Sequence, residues 1–310
     1  NIIHSTADQK RILVIGAGPS GMESARLLAM QGHDVEIWEK DKDIGGTVRV
    51  AALAYEPNGR LINYLKNSLD ELNVRIKLRT LATSKSVQDF NPDHVIVAVG
   101  ANRNAPSIKG KNNRNVFDGE ELRGLLFGLD AQAIKKLSLI QQLILKVGRA
   151  TQLLRNISAL RFLSKIWMPI AKNIVVIGGD LVGLELAEFL VERGRTVTVL
   201  EPSGSLGPNL SIVRRSRVVH MLKEHKVDLL TNVTIKEIDG QEVIFDHEEA
   251  QKSLQADQVI IALGADTNSE LSDELTNLNM PLTSIGDCTS VGYIHGAIAD
   301  ARKAVIDLRI

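Results

Sequence analysis

The chain has 310 residues, and 37 Lys and Arg balance 37 Asp and Glu, so its formal net charge is zero. That balance argues against a general nucleic-acid binder, and aromatic residues, at 4%, offer few surfaces for base stacking. The single cysteine, Cys288, excludes an intrachain disulfide framework and a cysteine-ligated cluster held by this chain alone.

The first residues contain no apolar leader, and no uninterrupted apolar run is long enough to span a bilayer. We therefore expect a cytoplasmic protein. Because the chain begins at Asn1 and reaches its first predicted strand within about a dozen residues, we also expect a processed product or a piece of a longer protein.

A glycine-rich turn follows the first predicted strand. The apolar run 11–15 predicts a buried strand, and the apolar spacing over 22–30 predicts a helix. The turn between them has the glycine spacing of a dinucleotide-binding motif, with Gly16, Gly18 and Gly21. These glycines permit the sharp turn, the approach of a pyrophosphate to the helix N-terminus, and close helix packing. A second strand, 35–38, leads to Glu39, which is placed to accept from a ribose hydroxyl.

Several elements follow before the middle of the chain. The Gly45–Gly46 pair predicts a second loop that closes over a nucleotide. Residues 59–72 have the spacing of an amphipathic helix, and residues 74–78 alternate like a half-buried strand. Residues 93–101 predict a buried strand that ends in glycine, where the chain turns beside the cofactor.

Residues 119–168 are long for a connection between domains. They are rich in Leu and Ile, and no acidic residue follows Asp130 within them. We expect two or three helices with a break near Gly148. Three roles remain open: a helical insertion packed on the domains, a docking surface for a missing domain or subunit, or a membrane-surface helix. The packed insertion is favoured, because the basic residues do not fall on one clean face.

From Ala171 the opening pattern repeats: strand 173–177, a glycine turn, helix 184–193 and strand 196–200. The turn contains Gly178, Gly179 and Gly183, and an acidic residue, Glu201, ends the second strand. Glu39 lies 23 positions after Gly16 (39 − 16), and Glu201 lies 23 after Gly178 (201 − 178). The repeat predicts two dinucleotide-type domains.

The second turn has Asp180 where the first has Gly18. Its charge would lie next to a pyrophosphate, and like charges about 4 Å apart cost on the order of 1 kcal/mol even in water-like surroundings. Either Asp180 points away and NAD(P)H still binds, or the domain binds dinucleotide poorly and serves as a scaffold. If it binds, Glu201 favours NADH, because a carboxylate repels a 2′-phosphate. Arg193 and Arg195, close in sequence, reduce that preference.

Further strands are predicted around 226–230, 233–238, 242–246 and 257–263. In the tail, Gly286 and Asp287 follow a short strand, and a helix is predicted over 295–308. The Asp287 carboxylate can reach a polar chain such as the ribityl hydroxyls of a flavin, or it can bond its own turn. We expect Cys288 to be packed and inert.

These motifs together resemble the two-dinucleotide-binding flavoprotein family. The similarity is greatest to the C-terminal half of 2,4-dienoyl-CoA reductase, trimethylamine dehydrogenase and related Old Yellow Enzyme-like NADH:flavin oxidoreductases. The stretches that carry it are 44–64, 91–101 and, most specifically, the closing segment 286–301. It covers nearly the whole chain except about residues 120–168.

The resemblance implies an α/β fold of two Rossmann-like, three-layer nucleotide-binding domains, the second inserted in the first. It implies an FAD-binding domain at 1–118 and 281–310, a helical connector at 119–170, and an NAD(P)-binding-type domain at 171–280. The implied function is hydride transfer from NAD(P)H to FAD, as the reductase portion of an Old Yellow Enzyme-like enoyl or dienoyl reductase. A barrel domain or subunit with FMN and an iron–sulfur cluster is the implied partner. The alternative is a non-catalytic FAD- or ADP-binding electron-transfer or scaffold module.

No catalytic residue is predicted, because hydride transfer from nicotinamide to flavin needs no acid–base group from the protein. The lone cysteine excludes the cysteine-pair chemistry of disulfide reductases, and no metal, nucleic-acid or membrane partner is expected. The predicted cofactor-binding residues of the FAD domain are Gly16, Gly18, Pro19, Ser20, Gly21, Glu39, Lys40, Gly46, Thr47, Ala98, Gly100, Gly286, Asp287 and Ala297. Those of the NAD(P)-type domain, where NADH is preferred over NADPH, are Gly178, Gly179, Gly183 and Glu201.

Overall fold

The computed structural model describes residues 8–103, 106–127, 131–151 and 157–308. The chain divides into two compact units. The first consists of Asn1–Ala52, Glu56–Asn102 and Ala265–Ile310, and the second of Leu53–Tyr55 and Arg103–Gly264. The second unit is therefore inserted in the first, as the sequence predicts.

The secondary structure of the described residues alternates between strands and helices over most of the chain. In chain order the strands are β1 (Arg11–Ile15), β2 (Asp34–Glu39), β3 (Arg75–Leu78), β4 (His94–Val97), β5 (Val116–Asp118), β6 (Asn173–Ile177), β7 (Thr196–Leu200), β8 (Asp228–Leu230), β9 (Thr234–Asp239), β10 (Glu242–His247), β11 (Ala250–Gln255), β12 (Gln258–Ile261) and β13 (Leu282–Ser284). The helices are α1 (Pro19–Met30), α2 (Val48–Ala54), α3 (Pro57–Glu71), α4 (Ser84–Phe90), α5 (Gly119–Leu126), α6 (Ala131–Lys135), α7 (Leu139–Ala150), α8 (Ile157–Ile166), α9 (Leu181–Val191), α10 (Ile212–Glu224), α11 (Glu270–Asn277) and α12 (Tyr293–Asp307).

The first unit contains a parallel five-stranded sheet in the order β13-β4-β1-β2-β3. The central strand β1 is apolar on both faces because both faces are covered, as parallel sheets require. On one face, Ile12 and Val14 join a core with Met22 of α1. On the other, Leu13 and Ile15 pack in a second core. Two covered faces give the predicted three-layer arrangement.

The second unit repeats this order with β5-β12-β6-β7-β8, again parallel, and adds a three-stranded sheet, β11-β10-β9. The added sheet is antiparallel. Its Val243 and Phe245 lie in the same core as Val175 and Ile177 of β6. The α/β fold class with two Rossmann-like domains is thus confirmed.

The domain boundaries differ from the predicted positions at 118 and 281. Strand β5 pairs with β12, so Val116–Asp118 belongs to the second sheet. Helix α11 contributes Leu275 to the core beneath Leu13, so it belongs to the first unit. The predicted separate connector, 119–170, lies within the second unit. A three-residue edge strand carries too little periodicity to be found from sequence.

The region 119–168 is more helical than predicted, with α5, α6, α7 and α8. Helix α7 includes Gly148 and ends two residues later, at Ala150 (150 − 148), and α8 begins at Ile157, so the helix does not break at Gly148 itself. The structure also contains α4, α10 and α11, together with strand β11, which the sequence reading did not include. Among the described residues, no helix is long and apolar enough to cross a membrane.

Candidate functional site: two dinucleotide turns

The first glycine turn is fixed by close backbone packing. Gly16 has φ +104°, and its N–H donates to the Trp38 carbonyl at 2.8 Å. A Cβ at Gly16 would collide with the Ala98 carbonyl, and one at Gly21 would collide with the Gly16 carbonyl. These two glycines are therefore required by the fold. Ala98 lies against the turn, and its role in binding the cofactor stays a prediction.

Gly18 differs from these two glycines, because neither its backbone conformation nor the surrounding protein requires a glycine there. Apart from its chain neighbours and the backbone of its own helix, nothing lies within 4 Å of a Cβ built at Gly18. Helix α1 begins directly after it with Pro19 in its first turn, and no described side chain caps that N-terminus. The protein itself does not fill this space, so the position is open to an anion at the positive end of the helix.

The Glu39 carboxylate ties the turn to the end of β2. Its Oε2 accepts from the Ala17 N–H at 2.7 Å, and its Oε1 accepts from the Asp41 N–H at 2.8 Å. A carboxylate has about four acceptor positions, so these bonds leave capacity for a ribose hydroxyl. The next residue, Lys40, is exposed at the end of β2, and its predicted role stays a prediction.

The Gly45–Gly46 loop lies against the first turn. The Gly45 N–H donates to the Ala17 carbonyl at 2.7 Å, and a Cβ at Gly46 would lie 3.3 Å from the Gly18 Cα. The carbonyl of Thr47 accepts from the Val50 N–H at 3.0 Å at the start of α2. Two backbones thus approach each other where the sequence places a pyrophosphate.

The closing segment also reaches this turn. Gly286 has φ +73°, and a Cβ there would collide with the Ser20 hydroxyl and lie 4.0 Å from the Ala297 Cα. The Oδ1 of Asp287 accepts from the Gly292 N–H at 3.0 Å, which is the turn-forming interaction left open from sequence. Gly100, with φ +75°, follows the end of β4. Gly286, Ser20 and Ala297 are therefore brought together, and their binding of the cofactor stays a prediction.

The second turn repeats the backbone geometry of the first. The Gly178 N–H donates to the Leu200 carbonyl at 2.8 Å, and a Cβ at Gly183 would be 2.8 Å from the Gly178 carbonyl carbon. The Oε2 of Glu201 accepts from the Gly179 N–H at 2.5 Å, and its Oε1 accepts from the Ser203 N–H at 2.7 Å. Each of these bonds has its counterpart 162 positions earlier, as in 201 − 39.

Asp180 breaks the equivalence between the turns. It occupies the N-cap of α9, but no described side-chain cap bond is made there. Its Oδ1 accepts from the Asn209 N–H at 3.1 Å and its Oδ2 from the Asn209 Nδ2 at 2.6 Å. Sequence reasoning missed Asn209, although the offset of 162 maps Thr47 onto it and Gly45 onto Gly207 (209 − 47 and 207 − 45).

Arg193 and Arg195 are not placed to bind a 2′-phosphate. Arg193 is buried, and its guanidinium donates to Ser164 Oγ and to the Phe189 carbonyl, each at 2.8 Å. Both arginines precede β7, whereas Glu201 follows it, and a five-residue strand separates its ends by roughly 16 Å. The expectation that they weaken the preference for NADH is therefore wrong.

Each helix after a glycine turn carries a glutamate that pairs with an arginine, and this glutamate is buried in α1 and half-buried in α9. Glu23 of α1 pairs with Arg26 at 2.8 Å. In α9, burial raises the pKa of the Glu185 carboxyl, although Arg214 at 3.7 Å opposes the shift. These residues are again 162 apart (185 − 23), which extends the repeat into the helices.

Cys288 is buried, as predicted. Its Sγ donates to the Ile285 carbonyl at 3.1 Å, and burial raises the pKa of the thiol. The side chain is therefore a thiol at neutral pH, which is the unreactive form. Among the described residues, no group of three or more His, Cys, Asp or Glu side chains could hold a metal ion.

A family model described as pyridine nucleotide-disulphide oxidoreductase matches residues 10–289. The chain belongs to the pyridine nucleotide-disulphide oxidoreductase family. This family is one of oxidoreductases that bind FAD and NAD(P)H, in agreement with the two dinucleotide turns. With one cysteine, this family member has no cysteine pair of its own to reduce a disulfide.

Individual relatives indicate the branch of the family to which this chain is most similar. The bilirubin reductase of Mediterraneibacter gnavus (strain CC55_001C) is 29% identical over 300 residues, which cover 96% of this chain and 40% of that protein. A metal reductase of Desulforamulus reducens (strain ATCC BAA-1160 / DSM 100696 / MI-1) is 28% identical over 339 residues, 97% of this chain and 44% of that protein. The solved structure of 2-naphthoyl-CoA reductase is similar with a TM-score of 0.81 and 29% identity, over 100% of this chain and 41% of that one.

The chain therefore spans less than half the length of these relatives. Together with the family match, they confirm the resemblance to the flavoprotein reductase half of Old Yellow Enzyme-like enzymes.

Proposed function

We propose that the first turn holds FAD, that the second holds NADH, and that the chain passes a hydride from NADH to FAD. The single observation that carries the assignment is the difference between the two turns at the position next to the expected pyrophosphate, which is Gly18 in the first turn and Asp180 in the second. Space is open above Gly18, whereas Asp180 is bonded to Asn209 at the same position of the second turn. FAD, which stays bound through turnover, is assigned to the more open site.

In the first unit, the N-terminus of α1 provides N–H groups for the pyrophosphate, and Gly18 and Gly46 keep side chains out of its path. Glu39 accepts from the adenosine ribose. Asp287 accepts from the ribityl or orients the pyrophosphate through its turn. The chain needs no acid or base for hydride transfer, so its residues bind, orient and exclude water.

In the second unit, Glu201 sets the preference for NADH over NADPH. Its carboxylate is buried and held by two backbone N–H groups, so it is fixed beside the ribose position. A 2′-phosphate would face this carboxylate without a compensating arginine, because Arg193 and Arg195 lie at the other end of β7. NADPH is therefore the poorer reductant.

A second candidate function follows from the Asp180–Asn209 interaction. If that contact excludes the pyrophosphate, the second unit is a scaffold, and the chain is a non-catalytic FAD- or ADP-binding electron-transfer module. The amide donors of Asn209 draw the carboxylate toward the loop and offset part of its charge, which favours weakened NADH binding over none.

The test is the cofactor extracted from the purified chain, identified by absorbance and mass, before and after NADH is added. Yellow protein that releases FAD and oxidises NADH with a dye acceptor supports the proposal. Colourless protein that releases ADP supports the scaffold instead, and NADPH oxidised as fast as NADH contradicts the role of Glu201.

We propose further that this chain is the reductase portion of an enoyl or dienoyl reductase. The support is that several relatives are more than twice as long as this chain, and that they include a 2-naphthoyl-CoA reductase and a cinnamate reductase. A barrel domain with FMN and an iron–sulfur cluster would then receive the electrons. The chain alone should reduce dyes but no enoyl substrate. Enoyl reduction by the chain alone would contradict this division of labour.

A further inference from the structure

Helix α7 presents its apolar side outward. Leu139, Ile140, Leu143 and Val147 are 82%, 74%, 62% and 56% exposed, whereas Leu145 is buried. At about 100° per residue, the exposed apolar side chains fall on one continuous arc of the helix. The sequence predicts helices in this segment, and the structure shows that the apolar face of α7 is turned away from the core.

Helix α8 and the residue after it also expose apolar side chains. Phe162 and Ile166 of α8 are exposed, and Trp167 is exposed in part. Aromatic and aliphatic side chains of this kind are those that enter the boundary between lipid headgroups and acyl chains. Exposed apolar side chains on this scale are rare on a protein surface without a partner.

The charge of the segment that contains α7 and α8 indicates which kind of partner it binds. No Asp or Glu lies between Asp130 and Asp180. Lys135, Lys146, Lys165 and Lys172 are exposed within it. Basic residues in the same acid-free segment as an outward apolar face favour a negatively charged surface, and basic segments gain affinity for anionic lipids additively.

We propose that α7 and α8 form a docking surface for an anionic phospholipid membrane, on which the protein lies without crossing it. The sequence favoured a packed insertion and left a membrane-surface helix as one of three open roles, with the scatter of the basic residues as the argument against it. The structure adds that apolar residues of α7 and α8 are exposed, and exposed apolar area contributes to interfacial binding together with charge.

The experiment is sedimentation of the purified chain with vesicles at low salt. Vesicles of phosphatidylcholine and phosphatidylglycerol in equal parts should retain the chain at least about tenfold better than pure phosphatidylcholine, and salt should release it. Trp167 should shift its emission to shorter wavelength on binding, whereas Trp38 is already buried. No sedimentation with either vesicle overturns the proposal.

Variants distinguish binding through α7 and α8 from non-specific hydrophobic binding to vesicles. Leu143→Asp with Val147→Asp should abolish sedimentation, and Lys146→Gln with Lys165→Gln should weaken it roughly fivefold per lysine. Leu81→Asp is the matched control, because Leu81 is similarly exposed in the first unit and should leave binding unchanged.

An unchanged circular dichroism spectrum verifies that each variant is folded. If Leu143→Asp with Val147→Asp instead converts an oligomer to a monomer on gel filtration while wild type ignores vesicles, the surface binds a second copy of the chain and the proposal is wrong.

Discussion

The two glycine turns share one backbone frame and differ at one position. In both, the first glycine donates to the neighbouring strand, the third lies against the first, and a buried glutamate accepts two backbone N–H groups. The first turn leaves the approach to its helix open at Gly18, and the second fills it with Asp180 and Asn209. The fold therefore preserves the shape of a dinucleotide site independently of how well that site binds.

The largest expected effect comes from placing the second turn's residue in the first. Gly18→Asp should weaken FAD binding by at least about a hundredfold, because it puts a charge against the pyrophosphate in space that the protein does not fill. FAD content after purification and Kd by fluorescence measure it. The melting temperature of the apoprotein should not change.

The control for that variant is Gly21→Ala, which should unfold or strongly destabilise the first unit because its Cβ would collide with the Gly16 carbonyl. A Gly18→Asp chain that loses as much apoprotein stability as Gly21→Ala would mean that Gly18 serves packing and not the cofactor.

The reciprocal change, Asp180→Gly, should tighten NADH binding by about tenfold, since it removes a like charge from the pyrophosphate position. The measurement is the NADH concentration at half-bleaching of the flavin. Asp180→Asn should give an intermediate gain if charge dominates. The same affinity in all three chains would defeat the interpretation.

A smaller effect is expected at Glu201, where both turns are alike. Glu201→Gln should reduce the ratio of NADH to NADPH affinity by several-fold and leave one backbone donor unpaired, at a cost of about 1–3 kcal/mol in stability. Arg195→Ala is the control and should leave the ratio unaltered. A ratio that moves with Arg195 and not with Glu201 would exchange their assigned roles.

The smallest expected effect is a pH dependence of stability caused by His94 in the first sheet, a residue without a histidine counterpart in the second. Burial lowers the pKa of His94 at the start of β4, and its Nε2 lies 3.0 Å from Thr283 Oγ1. In the second sheet the corresponding first residue of β12 is Gln258, which accepts from the Ala171 N–H.

Below the ordinary histidine value of 6.5, the unfolded chain takes up a proton before the folded chain does. Stability should therefore fall as the pH drops below that value, by at most about 1.4 kcal/mol per pH unit. Thermal midpoints at two pH values should show a shallower fall in His94→Gln. An equal slope in both chains would remove His94 as the cause.

The glycine turns and their repeat were predictable because each has a spacing signature, whereas the insertion of one unit in the other was implied by the family resemblance. Asn209 was not found, because its bond to Asp180 depends on how the loop after β7 folds back onto the turn. Strand β5 was missed because edge strands of three residues have no pattern of their own. For α7 the sequence predicted the helix but not which face is outward, because periodicity does not specify the environment of a face.

Hydride transfer from NADH to FAD within this chain is tested most directly by an anaerobic titration of the FAD-loaded chain with NADH, followed by flavin absorbance. We expect NADH to bleach the flavin of the wild-type chain to completion, Asp180→Gly to reach half-bleaching at a lower NADH concentration, and NADPH to require a far higher concentration. Flavin that stays oxidised at every NADH concentration, in wild type and in Asp180→Gly alike, would contradict it.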